Sequence, residues 1–209
     1  MNILGIGAHP DDLEFGCGGL FYKLSARGHK INMLVMTGGD VGGNAGARRA
    51  EQEKAAGLLK ARLFWGGFMD TDVPMSRELI QTVERHIARV KPDLILVNYG
   101  DDTHQDHRNV SRAAVTAARY MKNILFYEVP TTMNFVPTIF SDIGDVINKK
   151  VRLLKCHCSQ VYKTRVKNLS IIESARSAAV FRGYQDRVKY AEGFVPQRLL
   201  LDFILKRSC

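Results

Sequence analysis

Apolar residues fall along this chain in two alternating patterns. Near-continuous apolar runs occupy residues 2–8, 31–37, 62–65, 94–97 and 124–127. Such runs suit strands buried on both faces of a parallel sheet. Between them lie segments with helical spacing. Residues 14–27 form the first, with Gly28 as its stop, and residues 47–60 the second, rich in Ala, Glu, Lys and Arg. Ser76 is placed to cap a third helix whose apolar positions are Leu79, Ile80, Val83, Ile87 and Val90. A fourth starts at His107 and reaches about Met121. Beyond the fifth strand the pattern predicts an irregular Pro-containing stretch over 129–137, a short strand over 138–142, and helices over 143–158 and 165–181. The apolar run 199–205 is expected to pack.

Strands alternating with helices predict an α/β fold: three layers, Rossmann-like, a mostly parallel sheet with helices on both faces. No repeat, linker or low-complexity tract interrupts the chain, so residues 1–209 read as a single domain.

In the doubly wound order the first and fourth strands are neighbours at the switch point, and ligands bind off their carboxyl ends. Two polar clusters sit there. His9-Pro10-Asp11-Asp12 follows the first strand, and His104-Gln105-Asp106-His107 follows the fourth. Pro10 stiffens the first turn by fixing its own φ and pushing His9 toward extended geometry. Capping would explain Asp12 alone, but not a His, a Pro and a second Asp beside it. Imidazoles and carboxylates held at the mouth of a sheet suit metal-assisted hydrolysis, with His9, Asp11, Asp12, His104, Asp106 and His107 as candidates. Three ligands, one base and one electrophilic group is the economical division among them. Five glycines within residues 38–46 mark a loop that approaches a ligand closely or moves.

Composition narrows the picture. The chain has 209 residues, 45% hydrophobic and 24% charged, enough for one substantial core. No apolar run is long enough to span a bilayer, and the N-terminus carries no secretory pattern, so the expectation is a cytoplasmic protein. The net charge of +9 suggests nucleic acid, but the basic residues are dispersed and lack interleaved aromatics. A solvated basic face, or an anionic substrate, accounts for them better. Cys17, Cys156, Cys158 and Cys209 form no CxxC pair and read as reduced thiols.

The motifs Ala8-His9-Pro10-Asp11-Asp12 and His104-Gln105-Asp106-His107 together resemble those of the PIG-L/LmbE family of zinc-dependent N-deacetylases. Arg48-Arg49-Ala50-Glu51, Phe68-Met69-Asp70, His157-Cys158-Ser159-Gln160 and Tyr190-Ala191-Glu192-Gly193-Phe194 agree, and the similarity covers nearly the whole chain. The resemblance implies Zn2+ held by His9, Asp12 and His107, with Fe2+ or another divalent ion acceptable to the same donors. It implies Asp11 as general base, and His104 as oxyanion stabiliser. It implies Asp106 as the group that orients His104 and raises its pKa. It implies a small N-acetyl amino-sugar substrate, an N-acetylglucosamine-type conjugate losing its acetyl group, touched by Arg48 and Asp70. Each has a plainer reading: Arg48 pairs with Glu51 along a helix, and Asp70 is a turn residue. A homo-oligomer is also implied. Glu14 reads as a first-turn helix charge. His29, His86 and His157 read as structural or exposed, while Glu192 and Ser159 have no assigned role.

The competing class is a nucleotide- or sugar-nucleotide-binding Rossmann-like protein without hydrolase activity. The glycines near the first helix do not follow G-x-G-x-x-G, and two adjacent aspartates would repel a pyrophosphate.

Overall fold

A computed structural model describes residues 1–202. Five parallel strands form the centre of the sheet: β1 (Asn2–Gly7), β2 (Lys30–Thr37), β3 (Arg62–Phe68), β4 (Leu94–Asn98) and β5 (Ile124–Tyr127). Two more, β6 (Ile139–Asp142) and β7 (Ala191–Arg198), complete the order β3-β2-β1-β4-β5-β7-β6. β7 runs antiparallel to both of its neighbours. The α/β class and the mostly parallel sheet are as expected; β7 is an addition. Its sequence, Ala-Glu-Gly-Phe-Val-Pro-Gln-Arg, contains Gly and Pro and has no apolar run. It is a strand because β5 and β6 flank it, a tertiary cause.

Successive side chains of the central strands enter opposite cores, as strand geometry requires. Ile3, Met33, Val35 and Leu96 face one layer, with α1 (Asp12–Ala26), α2 (Ala45–Leu59), α5 (Ile147–Cys156) and α6 (Ile171–Gln185). Leu4, Leu34, Ile95 and Val97 face the other, with α3 (Arg77–Val90) and α4 (Gln105–Ala117).

Helix ends follow local chemistry. The Ser76 hydroxyl accepts from the Leu79 N–H at 3.2 Å, as the pattern predicts. α2 begins earlier than 47 because Asn44 caps it, accepting from Ala47 N at 2.9 Å. α6 starts at Ile171 rather than 165, where Ser170 and Glu173 form a reciprocal capping box. That S-x-x-E signature is legible in the sequence and places the start better than apolar spacing does. α5 is shorter than 143–158, because Asp142 and Gly144 form a side-chain-capped turn just before it. Leu200 and Leu201 are exposed rather than packed; the rest of that apolar run, residues 203–205, lies outside the described residues.

α1 breaks at Cys17 (φ −142°, ψ 18°). The break strands backbone groups that distant side chains satisfy. Glu192 accepts from the Gly19 and Leu20 N–H groups at 2.8 Å each, and Lys150 donates to the Phe15 carbonyl. Gly16 brings the helix against Tyr127: a Cβ there would lie 2.0 Å from the ring. The Tyr127 hydroxyl then donates to Ile6 O at 2.9 Å, tying β5 to β1 near the switch point.

Candidate metal and catalytic site

β1 and β4 are hydrogen-bonded neighbours, so the loops leaving their carboxyl ends meet. His9 Nδ1 lies 3.1 Å from His107 Nε2, and Asp12 Oδ2 lies 3.4 Å from His107 Nε2 and 3.8 Å from His9 Nδ1. All three residues are buried. Two ligands about 2.1 Å from a tetrahedral ion stand about 3.4 Å apart, so this donor set suits a divalent cation.

The far side of each ring supports that reading. His9 Nε2 lies 3.0 Å from both Asp106 Oδ2 and Asp70 Oδ1, and His107 Nδ1 lies 3.1 Å from Asp102 Oδ2. A carboxylate on the outer nitrogen draws the proton there and leaves the inner lone pair for a metal. Asp102 is fully buried and further held by the His104 N–H at 2.8 Å and the Thr132 hydroxyl at 3.0 Å.

The electrostatics follow from this packing. Burial alone would lower the pKa of His9, but its hydrogen bonds to the Asp106 and Asp70 carboxylates and the Asp12 charge raise it to about 9. Burial likewise opposes His107, and Asp12 and Asp102 together raise it to about 10. Burial would raise Asp12, but His107, His9 and the His9 backbone N–H hold it well below the usual carboxylate range. Asp11 is raised to about 6, mainly by burial, with His157 and Arg48 opposing.

His104 is half-buried beside this cluster, its ring stacked on His107 with centroids 4.9 Å apart. Its Nδ1 accepts from the Asp106 backbone N–H at 3.2 Å, which caps α4. The ring therefore carries its proton on Nε2 when neutral. The Asp106 carboxylate acts upward on the His104 pKa, as the resemblance implies, but the group of Asp106 that reaches the ring is its backbone N–H. That carboxylate is spent on His9 and on the Thr71 and Val73 N–H groups. The pKa of His104 is lowered by burial and by His9 and His107, which outweigh Asp106.

Asp70 and Arg48 are both buried. Besides facing His9, Asp70 accepts from Val41 N and Gly42 N, so it pins the glycine loop to the His9 ring. Arg48 donates to Gly39 O and Pro10 O at 2.9 Å each and lies 3.7 Å from Asp11. Gly39 (φ 69°) lets the loop cover the guanidinium, because a Cβ there would lie 2.2 Å from Nη1. The Arg48–Glu51 pair of the plainer reading is absent among the described contacts; Glu51 instead accepts from Ser159 N and Oγ and from Cys158 Sγ. Glu14 stands in the first turn of α1, as its reading as a helix charge expects. It is fully buried, bonded by Gln52 Nε2 at 2.6 Å and 3.6 Å from the buried His157.

Sequence reasoning missed Asp102 and Gln52, and the approach of Glu14 to His157. Asp102 stands two residues before His104, a spacing that lets its carboxylate accept the His104 N–H as an Asx turn does. That was the one signal available. The others depend on which helix faces packed together.

A mostly parallel sheet with a carboxylate–histidine cluster at its switch point defines a hydrolase-like α/β protein with a site fit for a divalent cation. Residues 4–118 match the family described as PIG-L: GlcNAc-PI de-N-acetylase, and the chain belongs to that family. It is 32% identical to the uncharacterized deacetylase YaiS of Escherichia coli, over 75% of this chain and 90% of that protein. It is 28% identical to the diacetylchitobiose deacetylase of Thermococcus kodakarensis, over 93% of this chain and 83% of that one. The solved N,N'-diacetylchitobiose deacetylase of Pyrococcus horikoshii superposes with a TM-score of 0.82 at 26% identity, covering 93% of this chain and 83% of that one. These findings make the protein an enzyme of a deacetylase family. No helix among the described residues is long and apolar enough to cross a membrane.

Proposed function

We propose that this protein is a metal-dependent hydrolase that removes the acetyl group from an N-acetylated amino sugar of the N-acetylglucosamine type. The observation that carries the reading is the convergence of His9 Nδ1, His107 Nε2 and Asp12 Oδ2 within 3.1–3.8 Å, beside a carboxylate, Asp11, left out of the cluster. His9, Asp12 and His107 would hold the ion, Zn2+ by preference, with Fe2+ also suited to imidazole and carboxylate. Bound there, a divalent cation would acidify water and polarise the amide carbonyl.

The chain's own residues supply the rest. Asp11 takes the proton of the attacking water and passes it toward the leaving amine. His104 donates its Nε2–H to the carbonyl oxygen as negative charge develops. Asp102, Asp106 and Asp70 hold the two imidazoles in one tautomer and one orientation. The products are acetate and a free amine. The substrate is a small molecule, consistent with the two diacetylchitobiose deacetylases among the relatives.

Acetate release from N-acetylglucosamine conjugates, measured with metal-loaded and chelator-treated protein, tests the reading. Release by the loaded protein alone is the expected result. Equal release by both overturns metal dependence, and no release by either overturns the deacetylase assignment.

A further inference from the structure

Asp11 is a non-glycine residue in the left-handed region (φ 90°, ψ −21°) at the head of α1, with no side-chain cap bond. Such a backbone is strained and persists only where its surroundings impose it. The Pro10–Asp11 peptide is held at both ends by one helix. Its carbonyl accepts from Arg48 Nη2 at 2.9 Å, and its N–H donates to Gln52 Oε1 at 3.2 Å. Arg48 and Gln52 are four residues apart on α2 and so share a face.

The Gln52 amide can present its oxygen to Asp11 only if its nitrogen faces an acceptor. Glu14 is that acceptor, taking Gln52 Nε2 at 2.6 Å. Gln52 and Glu14 are both fully buried. The second Glu14 oxygen lies 3.6 Å from His157 Nε2 and makes no hydrogen bond; neither ring nitrogen of His157 has a hydrogen-bond partner. Ser159 and Cys158 bond to Glu51 of the same helix and hold the His157 segment in place. A buried polar layer thus lies behind the turn and ends on one peptide plane.

We propose that Gln52, oriented by Glu14 and paired with Arg48, is a positioning residue that locks the Pro10–Asp11 peptide and so aims the Asp11 carboxylate into the site. The catalytic half of this proposal rests on Asp11 being the base; the conformational half does not. A residue that only filled space would be replaced without effect by an apolar one of equal length.

The test is Gln52→Met, which keeps length and removes both hydrogen bonds, studied as metal-loaded full-length protein. Metal content and KM for an N-acetylglucosamine conjugate should stay within about twofold, because a group acting on the base alone is felt in the transition state. kcat should fall on the order of 10², the scale of a small misplacement of a reacting group. A crystal structure of the variant should show Asp11 outside the left-handed region. An Asp11 that stays near φ 90°, or an active variant whose kcat does not fall, overturns the proposal. If the wild-type protein releases no acetate, the functional reading fails, while the Asp11 backbone in the variant crystal still decides the positioning claim.

Should Gln52→Met not fold, the exchange of Glu14→Gln with Gln52→Glu decides it. The double exchange reverses donor and acceptor and restores the chain of bonds to the Asp11 N–H. Recovery of kcat in the double variant over Gln52→Glu supports the proposal, and a double variant no better than Gln52→Glu overturns it.

Discussion

Asp102 Oδ2 stands 3.1 Å from His107 Nδ1, so the imidazole that presents Nε2 to His9 and Asp12 is backed by a fully buried carboxylate. Asp102→Asn should leave the protein folded and weaken its affinity for an added divalent cation by about 10–100-fold, the usual effect of an outer partner. His9→Ala and His107→Ala should empty the site, against about one ion per chain in the parent protein, as a three-ligand site requires. Metal analysis and chelator competition give the comparison. Full metal in both histidine variants would remove these residues from the ligand set.

Metal loading should release protons. The facing nitrogens of His9 and His107 lie 3.1 Å apart, and the surrounding carboxylates raise the two groups to about 9 and about 10, so near neutral pH the pair keeps a proton in the metal-free protein that a bound ion would displace. Near neutral pH that proton must leave when an ion binds. Calorimetric titration in buffers of different ionisation enthalpy should show it; a heat independent of buffer would contradict it. The same groups are raised above their ordinary value of 6.5. Their contribution to metal-free stability is therefore full below about 6.5 and lost as pH climbs through about 9 to 10. Thermal melts of chelated protein should fall across that window.

Asp11 and Asp12 should separate cleanly. Asp11→Asn is expected to keep metal and lose activity by about 10² or more, the scale of a general base. Asp12→Asn should lose metal first. Burial raises Asp11 to about 6, and a bound cation lowers it, so kcat/KM of the parent enzyme should fall with decreasing pH at or below about 6. The reverse assignment of the two carboxylates would appear as metal loss in Asp11→Asn.

His104 should act as a neutral donor. Its pKa is lowered by burial and by the two neighbouring histidines, and its Nδ1 is occupied by the Asp106 N–H. His104→Ala should retain metal and reduce kcat by about 10²–10³, the loss typical of an oxyanion donor. Any alkaline limb in the pH profile should survive this substitution. Its disappearance in His104→Ala would show that a protonated His104 carries the activity.

Lys150 and Glu192 form a buried ion pair, 2.5 Å apart, over the break in α1. Removing one partner leaves an unpaired buried charge and stranded N–H or carbonyl groups. Glu192→Ala should therefore cost about 3–5 kcal/mol in denaturant unfolding. A loss within surface-mutation range, about 0.5 kcal/mol, would mean the break is satisfied otherwise.

The central sheet and the meeting of the two motifs are legible in the order of residues alone. Strands such as Leu94–Asn98 are apolar on both faces, which only a covered sheet accommodates, and alternation with helices orders them in parallel. That order makes β1 and β4 neighbours, so His9 and His107 had to meet, 98 residues apart in sequence. Local rules also reached Ser76 as a cap. Tertiary structure decided the rest. Ala191–Arg198 became a strand because β5 and β6 enclose it, against its own Gly and Pro. Asp106 turned to His9 rather than His104 because its backbone N–H, not its carboxylate, reaches the His104 ring. Arg48, Gln52 and Glu14 look like ordinary helix-surface residues in sequence. They are buried because α2 packs across the head of α1, and burial obliges each polar group to find its partner across elements rather than along the chain.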